Sequence, residues 1–204
     1  MDGRRSDTKE RIRTVAMELF SERGYEKTSL REIAERLGVT KAALYYHFRT
    51  KEDIVVSLSD DLRRGIDDIV DWAERTPPGH ERAEQILRRY SALLHSLGRD
   101  MVRFWHENQP AFRDLGFGAG LRYQFRALAD LMTGPDAATL DVYHARQALL
   151  AISWSLSMMG DLDLTDDQMH TAATDIAVDI LARIAWPSAG NVLPPSREVR
   201  HHRS

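Results

Sequence analysis

The 204-residue sequence contains no cysteine, which excludes disulfide frameworks, thiolate metal sites and cysteine redox chemistry. It also lacks long apolar runs. The longest, Ala148–Gly160, covers 13 residues and is interrupted by three serines, well short of the roughly 20 apolar residues that a membrane-spanning helix needs. The opening residues, MDGRRSDTKE, carry no apolar stretch of the kind found in secretory leaders, so a cytoplasmic protein with no membrane partner is expected. No Gly-x-Ser-x-Gly elbow and no phosphate-cradling glycine loop occurs. Gly116, Gly118 and Gly120 alternate, but they follow no strand pattern. Of the eight histidines, His95, His106, His144 and His170 fall on separate helical patterns, with no His-x-x-x-His or His-x-x-Glu pair among them. Neither a catalytic site nor a metal or cofactor is expected.

What is present is helical periodicity and an uneven charge. Hydrophobic residues make up 43% of the chain, ample for a packed core, and the net charge is −3. Residues 1–53 hold twelve Lys and Arg against ten Asp and Glu, whereas the remainder is acidic by five. A mildly basic end on an acidic body suits a protein of which only one end meets a polyanion.

The most informative stretch is Thr28–Asp53, TSLREIAERLGVTKAALYYHFRTKED. Leu30, Ile33, Ala34 and Leu37 recur at helical spacing, and Ser29 with Glu32 forms a capping box at the start. Gly38 stands where a helix end favours a left-handed residue, and Thr40 is a suitable cap for a second helix with Leu44 and Phe48 facing inward. This is the layout of a helix-turn-helix. Lys41, Ala42, Ala43, Tyr45, Tyr46 and His47 are left on the outward face. Small residues allow close approach to a groove, while the phenols, imidazole and ammonium can bond phosphates and base edges. Taken singly, each tyrosine reads equally well as an ordinary half-buried residue of a small helical domain.

The residues T-S-L-R-E-I-A, L-G-V-T-K and L-Y-Y-H-F-R-T-K-E-D, in this order and spacing, resemble the DNA-binding domain of the TetR (tetracycline-repressor-type) transcriptional regulators. The likeness is sharp over about Ser6–Leu62 and architectural beyond. It implies an all-α fold, a near-palindromic double-stranded DNA operator, a small-molecule effector and a homodimer. It also implies that Arg31, Thr40, Lys41, Ala42, Ala43 and Tyr45 approach bases, with Tyr46, His47 and Lys51 on the backbone. Ala42-Ala43 departs from the Gly, Pro or polar residues common there. That would leave specificity to thymine methyls or to Lys41.

Elsewhere the pattern predicts a polar arm with Arg4 and Arg5, then a first helix ending at Gly24. A long fourth helix capped by Thr50 follows, its outer face acidic (Asp60, Asp61, Asp67, Asp68, Asp71). Five further helices run to Pro187, and residues 115–120 form an irregular connection among them. The expected division is a head at 1–53, a helical effector-binding and dimerisation body at 54–186 and a flexible tail at 187–204. Candidate effector contacts are Tyr90, Met101, Phe104, Trp105, Arg122, Tyr123, Phe125, Trp154 and Met158, although each apolar one reads as readily as core. Candidate dimer contacts are Leu149, Ile152, Ala173, Ile176, Ala177, Ile180 and Ile184. The fourth helix reads as the only rod joining head to body, so a ligand against Trp105, Tyr123 and Phe125 would act on DNA by swinging it. The function expected is a sequence-specific repressor released by its effector. A helix-turn-helix activator or architectural protein without effector, or an α-helical enzyme, stays as an alternative.

Overall fold

Nine α-helices and no strand make up the described residues, 2–108 and 117–186, of a computed structural model of the protein. The expected all-α class is observed. The head comprises α1 (Asp2–Arg23), α2 (Leu30–Leu37) and α3 (Lys41–His47), and α4 (Lys51–Glu74) leads out of it. The body adds α5 (His80–Leu97), α6 (Arg99–Glu107), α7 (Phe117–Thr133), α8 (Thr139–Met158) and α9 (Asp166–Leu181).

Helix boundaries follow their capping residues. Ser29 accepts from the Glu32 amide and the Glu32 carboxylate accepts from the Ser29 amide, a complete capping box. Thr50 with Asp53 and Thr165 with Gln168 repeat the motif at α4 and α9. Gly38 closes α2 at φ 70°, a left-handed conformation that costs glycine little. The Thr28 hydroxyl donates to the Leu19 and Gly24 carbonyls (3.3 and 2.9 Å), serving the C-terminal end of α1.

Some boundaries depart from expectation. The backbone is helical from Asp2, so Arg4 and Arg5 belong to α1 rather than to an arm. Helix α7 already includes Phe117–Gly120, which leaves only Leu115 and Gly116 of the expected irregular connection outside the described residues. The tail at 187–204 also lies outside them. Nor is the acidic face of α4 merely solvated. Asp61 pairs with Arg13 of α1 and with Arg64, and Asp67 accepts from Gln124 of α7 at 2.6 Å.

Nearly all the buried apolar side chains among the described residues form one connected cluster running from Ile12 in α1 to Ile184 beyond α9. At 24 residues, α4 extends about 36 Å and packs on α1, α5 and α7. A side chain at Gly65 would meet a Leu93 methyl at 2.4 Å, so its absence lets α5 seat closely on α4. Helix α9 packs on both α8 and α5, closing the body.

One buried cation fastens the far end. The Arg82 guanidinium donates to the carbonyls of Ala73 (3.4 Å), Thr76 (3.1 Å) and Leu131 (2.6 Å), the last turns of α4 and α7. Burial lowers its affinity for a proton, but carbonyls without intrahelical partners accept from a cation well. Arg82→Met keeps the aliphatic stem and removes every one of these donors. Urea denaturation should show a loss of about 2–3 kcal/mol, the worth of charged hydrogen bonds; unchanged stability would mean that water replaces them.

Candidate nucleic-acid interface

Helix α3 is held from behind by Leu44 and Phe48, both buried. The Thr40 hydroxyl accepts from the Ala43 amide at 3.2 Å and fixes its start. With that side anchored, Thr40, Lys41, Ala42, Ala43, Tyr45 and Tyr46 are exposed, Tyr46 to 67%. Lys41 Nζ stands 5.4 Å from the centroid of the Tyr45 ring, and the Tyr46 and His47 rings meet edge to face at 5.3 Å. The groups expected to face DNA therefore share one side of a short, rigid helix. Arg31, on α2, is exposed and ion-paired with Glu35 at 2.7 Å, a pairing it must give up to reach a base.

Lys51 is engaged differently. Expected on the DNA backbone, it is half-buried and donates to the Tyr25 carbonyl at 2.8 Å and the Glu26 carbonyl at 3.4 Å. Its ammonium also lies 4.4 Å from the Tyr25 ring centroid. Two of its three donors thus serve the protein. The Tyr25 hydroxyl donates to Glu52 at 2.9 Å. Burial and that carboxylate push the phenol's pKa up. Burial acts to raise Glu52 too, but its backbone hydrogen bond and the one from Tyr25 outweigh it and hold the carboxyl below its ordinary value.

The nine candidate effector contacts do not converge. Tyr90, Phe104 and Trp105 are buried and Met101 and Phe125 half-buried, whereas Arg122, Tyr123, Trp154 and Met158 are exposed, Tyr123 to 75%. Arg122, Tyr123 and Met158 point to solvent and wall no enclosed site, because a residue placed on the outer side of an amphipathic helix is turned from the core. Phe104 turns toward the head, with its ring stacked on Phe20 of α1. Trp154 lies against His106, with centroids 4.5 Å apart, and His106 Nδ1 meets Ser157 Oγ at 2.6 Å. Burial lowers the His106 pKa. What remains inward is Tyr90, Met101, Trp105 and Phe125. Burial pushes the pKa of the Tyr90 hydroxyl up to about 12, with Ser153 acting in the opposite direction.

The expected dimer contacts divide between buried and exposed positions. Leu149, Ile152, Ala173, Ala177 and Ile184 are buried within this one chain, with no surface to offer a second. Ile176 is 54% exposed and Ile180 half-buried. The sequence missed Leu140 and Tyr143, which share the outer face of α8 with Met158 at helical spacing and are exposed. Their signal was an apolar residue every three or four positions before the fully apolar half of α8. His95 and His170 stack across α5 and α9 at 4.6 Å, but among the described residues no three side chains converge as metal ligands.

A capped helix-turn-helix with an exposed aromatic and basic face, carried on a long helix above an all-α body, defines a helix-turn-helix DNA-binding transcriptional regulator. Residues 12–58 match the family described as bacterial regulatory proteins, tetR family. The probable HTH-type transcriptional regulator ArpR of Pseudomonas putida is 31% identical over 164 residues, 71% of this chain and 76% of that protein. The chain belongs to the TetR family. The HTH-type transcriptional regulator AcrR of Shigella flexneri is 48% identical, but over 48 residues that cover 24% of this chain and only 22% of that protein. Mycobacterium smegmatis AmtR superposes with a TM-score of 0.60 at 25% identity, covering 83% of this chain and 84% of its own.

The two lysines of the site should separate in experiment. Lys51→Met removes charged hydrogen bonds and a cation–π contact, a loss of about 1–3 kcal/mol of unfolding free energy that lowers the denaturation midpoint. Exposed Lys41→Ala should leave that midpoint in place while weakening DNA binding. A Lys51→Met protein as stable as wild type would return Lys51 to the phosphate role.

Proposed function

We propose that the protein is a homodimeric repressor that leaves a near-palindromic operator when a small, largely apolar molecule enters the body. The observation that carries this reading is the rigid α3 face, Lys41, Ala42, Ala43, Tyr45 and Tyr46 exposed together while Leu44 and Phe48 anchor the helix. In this reading Ala42 and Ala43 let the helix sink into the major groove, Lys41 and Tyr45 meet base edges, and Tyr46 and His47 hold phosphate. Arg31 joins them after releasing Glu35. Supporting the negative sense, IcaR of Staphylococcus aureus, 48% identical over 46 residues, is named a negative transcriptional regulator. Supporting an effector with an apolar part, Bacillus subtilis FadR, at 19% identity and a TM-score of 0.58, has been solved with stearoyl-CoA, a long acyl chain on a charged carrier. In this chain Tyr90, Met101, Trp105 and Phe125 supply inward apolar walls, with the Tyr90 and Ser153 hydroxyls as polar handles.

A second copy would cover the outer stripe of α8 (Leu140, Tyr143, Met158) and Ile176 of α9, apolar groups of the kind that mark interfaces when exposed together. The domain division proposed is a DNA-binding head at 1–53 and an effector-binding and dimerisation body at 54–186.

Selection from a random duplex pool should enrich a two-fold motif with half-site centres about 34–36 Å apart, one helical turn. Retention of no sequence would sink the regulator reading. Ile176→Asp tests the dimer cleanly, since Asp on this exposed face costs the lone chain little. Buried in a dimer, an unpaired carboxylate costs on the order of 3 kcal/mol, about a hundredfold in association. Sedimentation should then show monomer and operator affinity should collapse. A dimeric Ile176→Asp protein with full affinity would move the interface elsewhere.

A further inference from the structure

The rod α4 is not the only connection between head and body, because α6 packs directly on α1. The contact is aromatic. The Phe104 ring lies flat on Phe20, with centroids 5.3 Å apart and planes 5° apart, and meets Tyr25 edge-on at 6.2 Å. Phe20 and Tyr25 themselves meet edge-on at 5.2 Å, and all three residues are buried. Tyr25 in turn clasps the start of α4 through Lys51 and Glu52. Those residues follow the α4 cap Thr50 immediately and stand four and five positions past His47, the last residue of α3. The path from α6 to the α3–α4 junction therefore runs from Phe104 through Tyr25 to the first residues of α4.

Helix α6 is built as a short lever. Its nine residues, Arg99–Glu107, follow Gly98, whose φ of 83° favours glycine and which provides no side-chain cap. Its other end is tied to α8 by the His106–Ser157 hydrogen bond, and Asn108 closes it by donating its side-chain amide to the Phe104 carbonyl at 2.9 Å. Trp105, next to Phe104, is buried as well, so one turn of helix carries both a candidate effector wall and the contact with the head.

We propose that Phe104 is a direct coupling residue, transmitting the position of α6 through Phe20 and Tyr25 to the α3–α4 junction without bending α4. The inference rests on the DNA-binding reading above and adds the route by which the body reaches that site. Packed aromatic side chains move as discrete units rather than deforming gradually, so a shift of α6 that unstacks Phe104 releases the Tyr25 clasp on Lys51 and Glu52. Coupling is reciprocal: DNA held by α3 must alter α6.

That reciprocity supplies a test without an effector. The full chain, labelled with 5-fluorotryptophan, is titrated with the duplex enriched by selection while fluorine resonances are recorded. Trp105→Phe assigns the Trp105 line. In wild type that line should shift on saturation with duplex. Phe104→Leu should still bind duplex, since Phe104 is buried behind the α3 surface, but the Trp105 line should no longer move. Phe20→Leu cuts the same path from the head side and should give the same loss, which guards against a fold defect peculiar to one variant. A Trp105 line that stays fixed in wild-type protein saturated with duplex overturns the proposal. A line that still shifts in both leucine variants does so too, leaving the signal to α4. If no duplex binds at all, the DNA-binding reading falls and takes the coupling with it, a different result from binding without a shift.

Discussion

The constraint on which the rest depends is the burial of Tyr25. About fifty residues cannot enclose much apolar surface unaided, and the head solves this by sharing a core with the body. Tyr25 sits where that core crosses over, with Phe20 beneath it, Phe104 at its edge, Lys51 over its face and Glu52 on its hydroxyl. A buried phenol needs a hydrogen-bond partner, and a half-buried ammonium needs acceptors. Here each need is met by the other residues of the cluster. The angle between α1 and α4, and with it the direction in which α3 points, follows from satisfying them together.

Away from that cluster, the same requirement for partners organises the helix ends. Side chains that follow a helix start by three residues close capping boxes at α2, α4 and α9. At the C-terminal ends the providers come from farther off. Thr28 serves α1, and Arg82 serves the last turns of α4 and α7 at once. Gln124 adds a polar tie between α7 and the middle of α4, through Asp67 and the Arg63 carbonyl. The long helix is thus held at its start by Tyr25, at its middle by Gln124 and at its end by Arg82.

This division between near and far explains what was legible in the sequence. Capping boxes, Gly38, the inward Leu44 and Phe48 and the order of nine helices are set within a turn or two, so spacing alone reveals them. The engagement of Lys51 within the protein was not legible, because its acceptors, the Tyr25 and Glu26 carbonyls, lie 26 and 25 positions back along the chain. Leu149 and Ile152 misled for another reason. An apolar residue on a mostly apolar helix announces burial but not by what, and here the chain's own α5 and α7 pack against that helix. Tyr123 and Met158 are the converse, apolar types on outward faces, where composition says nothing about a pocket.

Charge in the head follows the same logic of prior engagement. Arg23 is paired with Glu32, Arg36 with Glu22 and Arg31 with Glu35. Exposed pairs of this kind add little stability, at most about 1 kcal/mol each, yet they bear on how the proposed regulator would treat DNA. A phosphate must compete with a carboxylate already in place, so random duplex gains less from these arginines than from unpaired ones. Attraction that depends on counterion release is thereby damped, in keeping with a net charge of −3. A correct site offers what carboxylates cannot compete with: a groove shaped to admit Ala42 and Ala43, and base edges in reach of Lys41 and Tyr45. On the proposed reading, discrimination comes from this shape-dependent part of binding, because the charge-dependent part has been held down by the head's own acids.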